Sequence, residues 1–129
     1  MQAYAEVLER ENNDFTFTNN SLAASGSDFK DFTDFNTVDD QSQRTNSFSP
    51  FRNVTIYNKG TTLLLVYINQ RASPRPLPSS TILELNGQRI SSIRITNSDG
   101  ATAGAYIMNA NNDVKEINVL KFIAQVVRQ

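Results

Sequence analysis

Residues 52–70, RNVTIYNKGTTLLLVYINQ, decide the fold class. Val54 and Ile56, with Arg52 extending the set, alternate with Asn53, Thr55 and Tyr57. That period of two marks a half-buried strand. Asn58, Lys59 and Gly60 then supply a reversal, with Gly60 suited to the left-handed position of a three-residue hairpin loop. Residues 62–68 are apolar on both faces and predict a central strand covered on both sides. The stretch reads as strand, turn, strand.

The same grammar continues downstream. RASPRPLPSS (71–80) cannot join a central strand, because Pro74, Pro76 and Pro78 lack backbone donors. Its Arg75-Pro76-Leu77-Pro78 core has the form of an SH3 ligand, although a proline-rich link between strands accounts for it without a partner. TILELNGQRISSIRITNSDG (81–100) reads as a second hairpin around Asn86-Gly87, a type I′ signal. Ile82 and Glu84 point one way and Leu83 and Leu85 the other, and Asp99-Gly100 turns the chain into a strand from Ala103 to Met108. DVKEINVLKFIAQVVRQ (113–129) fits either a helix or a closing strand, its β-branched and aromatic content favouring the strand. The expectation is an all-β protein: an antiparallel β-sandwich, jelly-roll or Ig-like, over residues 51–129.

Composition removes whole classes of chemistry. The 129 residues contain no histidine, cysteine or tryptophan, which excludes thiolate nucleophiles, disulfides, Cys/His zinc sites and a histidine base. The opening MQAYAEVLERENN lacks the basic-then-apolar layout of a secretory signal. The longest apolar run, 63–68, is too short to span a membrane. Charge divides unevenly. Residues 1–50 carry nine acids against three bases (−6), and residues 51–129 carry nine bases against four acids (+5). Opposite charge on the two parts favours docking of one on the other, within a chain or between copies. The bases form no clustered tract, so nucleic acid is not an expected partner.

Residues 1–50 differ in kind from residues 51–129. Seven of the eight phenylalanines (Phe15, Phe17, Phe29, Phe32, Phe35, Phe48 and Phe51) fall between residues 15 and 51. Few aliphatic residues accompany them, and SDFKDFTDFN (27–36) repeats an Asp-Phe pair three times. A polar segment with spaced aromatics cannot build a core of its own, but it can seat anchors in pockets on another surface. Each buried Phe contributes up to about 3 kcal/mol, whereas fixing each backbone residue costs about 1–2 kcal/mol. The segment must therefore also gain backbone hydrogen bonds, most simply by adding strand to an exposed sheet edge. The expectation is a long, mostly irregular N-terminal assembly arm (1–50) whose seven phenylalanines bind a partner. The alternative is one helical turn packing the Phe29, Phe32 and Phe35 triplet on its own sandwich.

No catalytic motif is present. The body's carboxylates, Glu84, Asp99, Asp113 and Glu116, make no recognisable acid pair, and Asp99 and Asp113 read as turn formers. Asn109, Asn111 and Asp113 place oxygens at alternate positions, but without the glycine and distal glutamate of a calcium loop they read as a polar turn. Asn19 and Asn53 head glycosylation triplets, and Tyr57, Tyr67 and Tyr106 are candidates for a sugar-stacking platform. No enzyme activity, metal or cofactor is expected.

VTIYNKGTTLLLVYINQ, a proline-bearing link and LELNGQRISSIRITNSDG together resemble the small β-sandwich virion proteins of tailed bacteriophages, in which Y-I-N and I-x-I-x-N-x-x-G strand endings recur. The similarity covers about residues 52–108. It implies a structural role on the particle surface for a protein made in the host cytoplasm. A capsid decoration (cement) protein comes first, and a tail, neck or head-fibre component second. The implied partners are the major capsid protein or other virion proteins and neighbouring copies of the chain, with no nucleic acid and no membrane. The competing class is a carbohydrate- or receptor-binding β-sandwich module.

Overall fold

Alternating burial builds the strands, and their pairing is almost entirely non-local. The computed structural model describes residues 14–113. Eight strands lie among them: β1 (Phe15–Leu22), β2 (Ser27–Asp31), β3 (Asn53–Asn58), β4 (Leu64–Ile68), β5 (Arg75–Leu77), β6 (Ile82–Leu85), β7 (Ser92–Asn97) and β8 (Gly104–Asn111). They form two antiparallel four-stranded sheets, ordered β1-β8-β3-β6 and β2-β7-β4-β5. The pairs nest: β1 with β8, β2 with β7, β3 with β6, β4 with β5. The chain is thus one long hairpin rolled up, and the rolling adds the β3–β8 and β4–β7 pairs that complete each sheet. That winding is a jelly roll. The β-sandwich expected from the sequence is the fold, and the topology selects the jelly roll over the Ig-like arrangement.

The nesting corrects both expected hairpins. β3 and β4 lie in different sheets, as do β6 and β7, so neither 58–61 nor 86–91 closes a two-stranded ribbon. Gly60 does not adopt a positive φ. It is glycine because a Cβ there would stand 2.8 Å from the Ala105 nitrogen. Gly87 does take φ +67°, but Asn86 beside it does not turn left-handed, so a type I′ turn does not form there. The left-handed pair sits instead at the hairpin tip, where Asn69 (φ 54°) and Gln70 (φ 61°) reverse the chain and the Arg71 N–H donates to the Ile68 carbonyl at 3.1 Å. β4 is an interior strand but is covered on one side only: Leu64, Val66 and Ile68 are buried, whereas Leu65 and Tyr67 are half-buried on the outer face. The proline-rich link contributes β5 at a sheet edge, the place where Pro76 needs no ladder donor.

The boundary at residue 51 also requires correction. β1 and β2 each supply an edge strand, one to each sheet, so residues 15–31 belong to the sandwich. The irregular part runs from residue 32 to 52 as turns pinned by the isolated bridges Val38–Arg44 and Phe51–Ile90. Strand addition, the expected means of holding the segment, occurs within the chain. Phe15, Phe17, Phe32 and Phe51 are buried, which removes them as partner anchors. With Phe48, packed against the core, they form a continuous file of rings: Phe48–Phe15 at 5.4 Å, Phe15–Phe51 at 5.4 Å, Phe51–Phe32 at 5.0 Å and Phe32–Phe17 at 5.8 Å between centroids. Tilted and edge-on contacts of this kind add to the burial itself. The Lys30 ammonium lies 5.5 Å from the centroid of the Phe17 ring, at the end of the file. The file fills the inter-sheet space that the few aliphatic residues of this half leave empty. Whether residues 113–128 form strand or helix lies outside the described residues from position 114 onward.

Candidate interaction surface

The three Asp-Phe pairs of residues 28–35 divide their side chains between turns, core and surface. Asp28 sits on β2 and accepts hydrogen bonds at one oxygen from Asn19 Nδ2 (2.7 Å) on β1 and from the Tyr106 hydroxyl (2.8 Å) on β8, joining the two sheets along their open edge. Burial first, then that hydrogen bond and the negative charges of Asp28 and Asp40, push the Tyr106 phenol far above its ordinary range. Asp31 and Asp34 form Asx turns with the N–H groups of Thr33 and Asn36. Asp39 takes the N–H groups of Gln41 and Gln43 in the same manner. Asp28, Asp31, Asp34 and Asp39 are thus spent on turns and on the Tyr106 link.

The phenylalanines of the repeat split. Phe32, one residue past β2, turns inward, while Phe29 and Phe35 remain 42% and 62% exposed. Each is paired with an arginine: Arg94 lies 5.1 Å over the Phe29 ring and Arg44 lies 4.2 Å over the Phe35 ring. Register then places Phe29 beside Arg94 on β7, and Arg94 beside Tyr67 on β4. The next outward row is Ser27, Thr96, Leu65 and Pro76, with Ser27 Oγ and Thr96 Oγ1 2.7 Å apart. The outer face of the β2-β7-β4-β5 sheet thus presents a central Phe-Arg-Tyr row with a small polar and apolar row alongside. Of the seven expected partner-binding phenylalanines, Phe29 and Phe35 are exposed, and Phe29 lies on this face. Sequence reasoning misses Arg94, and it reads Tyr67 only as part of a sugar-stacking platform, because nothing local pairs either with Phe29; only the β2–β7–β4 register does.

Other candidate sites are not assembled. Tyr106 is buried, Tyr57 lies on the outer face of one sheet and Tyr67 on that of the other, so the three tyrosines form no platform. The oxygens of Asn109, Asn111 and Asn112 accept N–H groups from Asn111, from Asn53 and Asp113, and from Arg52 respectively. That is a polar ladder, not a cation loop. The glycosylation-type asparagines are likewise committed: Asn19 Nδ2 to Asp28, and the buried Asn53 Nδ2 to Asn111 and to the Asp113 carbonyl. Asp99 caps the Ala101 and Thr102 N–H groups, which hold its carboxyl below the usual range, Ala101 most strongly. An open groove of about 620 Å³ lies elsewhere, between Pro50, Arg52, Gly87, Gln88, Arg89 and Asn112. Among the described residues, its lining carries neither an acid nor a nucleophile.

The recurring strand endings have a structural meaning. Asn58, at the end of β3, donates to the Thr62 and Leu77 carbonyls and accepts from the Gly60 N–H. Asn97, at the end of β7, donates to the Leu22 and Thr102 carbonyls and accepts from the Asp99 N–H. Asn69, just past β4, donates to the Arg89 carbonyl and accepts from the Ser91 N–H at 2.7 Å. Each asparagine satisfies backbone groups of a connection that leaves its strand, which a jelly roll with long crossings needs at both ends. No protein-family model matches the chain, and no curated protein matches its sequence.

Proposed function

We propose that this chain is a non-enzymatic structural protein of a phage particle, a decoration (cement) protein that attaches to the capsid through the outer face of the β2-β7-β4-β5 sheet. The Phe29–Arg94–Tyr67 row carries this reading. Tyrosine and arginine dominate interface hot spots, and a central aromatic-arginine cluster with a small polar rim is the composition of such a spot. The jelly-roll winding supports it, being an architecture of viral capsid domains, and so does the resemblance of residues 52–108 to phage virion proteins. Jelly rolls also serve as lectins, but here one face of both exposed phenylalanine rings is covered by a guanidinium, which disfavours stacking on a sugar. The reading differs from an arm-mediated one in placing the contact on the folded sheet.

Quantitative mass spectrometry of particles purified from the source of the chain tests the role. A decoration protein is present at a ratio comparable with the major shell protein. A few copies per particle would favour a tail, neck or receptor component, and absence would overturn the reading. Rebinding of Tyr67→Ala and Arg94→Ala variants to stripped particles tests the surface. Loss of a hot-spot side chain costs about 2 kcal/mol or more, roughly a thirtyfold loss of affinity. Unchanged binding by both variants would move the contact elsewhere.

A further inference from the structure

The connection from β6 to β7 carries a covalent reactivity that the other turns lack. Asn86 is the only asparagine in the sequence followed by glycine, and Asp99 is the only aspartate so placed. Either side chain can cyclise on the next backbone nitrogen, because glycine has no Cβ to hinder the approach. The fold treats the two oppositely. Asp99 Oδ1 accepts the Ala101 and Thr102 N–H groups at 2.7 and 2.8 Å, which keep the carboxyl ionised and therefore a poor electrophile. Asn86 and Gly87 are both exposed, and among the described residues no hydrogen bond holds the Asn86 amide. A Cβ on Gly87 would meet nothing within 4 Å, so the space beside it is open. The Gly87 N–H donates to Asn53 Oδ1 at 3.3 Å, long for such a bond and a weak hold on the nitrogen. Asn58, Asn69 and Asn97, by contrast, are fixed through their amides to backbone carbonyls.

We propose that Asn86 is a self-modification site, converting spontaneously to aspartate and isoaspartate through a cyclic imide. The Gly87 nitrogen gives its proton to solvent base and attacks Asn86 Cγ. The Cγ–Nδ2 bond breaks, and Nδ2 takes a proton from solvent and leaves as ammonia. Water then adds to one of the two imide carbonyls. Opening at Cγ restores the ordinary peptide link and leaves an aspartate side chain. Opening at the main-chain carbonyl carbon of residue 86 leaves isoaspartate, with Gly87 joined to Cγ. Water is the one co-reactant, and nothing is oxidised or reduced. Residue 86 lies between β6 and β7, so the extra backbone methylene of isoaspartate falls outside both strands and the sheets keep their pairs. The chemical consequence is electrostatic. Gly87 lines the open groove together with Arg52 and Arg89, and each conversion places a new carboxylate at the edge of that two-arginine site.

Peptide mapping by mass spectrometry tests the site, after the folded full chain has been held in warm, mildly alkaline heavy-oxygen water. Residue 86 should exchange its amide for a heavy-oxygen carboxyl and split into two isomers. It should do so faster than any other asparagine and faster than Asp99 isomerises, and more slowly at mildly acidic pH. On anion exchange a more acidic species should grow in step, with the β-sheet circular dichroism unchanged. Asn86→Gln, whose longer side chain must close a larger ring, should form that species far more slowly. Conversion of residue 86 only after unfolding in urea would overturn the proposal, because the fold would then protect it. So would another asparagine converting first in the folded chain. An Asn86→Gln variant that folds and acidifies at the original rate would overturn it as well.

Discussion

Three phenylalanines spaced by three residues face three different fates, and stability separates them. Phe32 touches Phe17 and Phe51 and is fully buried, so Phe32→Ala should cost about 3–5 kcal/mol. Phe29→Ala and Phe35→Ala remove only an exposed ring and its arginine partner, about 1 kcal/mol or less. Urea denaturation of the three variants checks the order; a Phe32 variant as stable as the other two would contradict the ring file. Tyr106 gives a pH test at the same scale. Its phenol is raised in the folded state, so the folded protein holds a proton that the unfolded chain releases above about pH 10. The contribution is fully present below that pH and declines as pH rises toward the folded value. Tyr106→Phe removes the titrating group, so its stability should fall less steeply between about pH 10 and 11 than that of the unaltered chain. Parallel slopes in the two proteins would show that Tyr106 is not held neutral by Asp28 and burial.

Single strands are legible in the sequence and their pairing is not. Val54 and Ile56 against Thr55 and Tyr57, and Leu83 and Leu85 against Ile82 and Glu84, face as their period of two requires, because one-sided burial writes itself into adjacent residues. Hairpin signals mislead here because Asn86-Gly87 and Asn58-Lys59-Gly60 describe only a reversal, whereas the sheet that receives the next strand depends on residues far away in sequence. The phenylalanine segment misleads for the same reason: without its partners, β1 looks like a polar strand with no core to join. The exposed surface is half legible, through Phe29 and Phe35, while Arg94 and Tyr67 need the register. The left-handed pair at the hairpin tip falls on Asn69-Gln70, and glutamine is poorly suited to it. Gln70→Gly removes the Cβ clash and keeps the Asn69 side chain on Arg89 and Ser91, so it should raise stability by about 0.5–1 kcal/mol. A lower melting temperature for Gln70→Gly would mean that Gln70 makes a contact worth more than the strain.

At the scale of the molecule, first pairs with last, and this makes the two halves inseparable. Removing residues 1–50 would strip the edge strand from each sheet at once, leaving β8 and β7 without their outer neighbours. It would also delete Phe15, Phe17, Phe32 and Phe48 and leave Phe51 alone in the space they filled. Burying Phe15, Phe17 and Phe32, the three of these rings that are fully buried, contributes up to about 9 kcal/mol, against a total stability of about 5–15 kcal/mol for a domain. The lost strand hydrogen bonds come on top. The fragment 51–129 should therefore show no cooperative thermal transition and should bind a dye specific for exposed apolar surface, whereas the full chain melts in one step. Adding a peptide of residues 1–50 should restore the transition, because edge strands add to a sheet without breaking existing pairs. A fragment that melts cooperatively alone would mean that the sandwich closes without β1 and β2. The segment would then be free to leave its own sheets for those of a neighbouring copy, and an arm-mediated assembly would regain its basis.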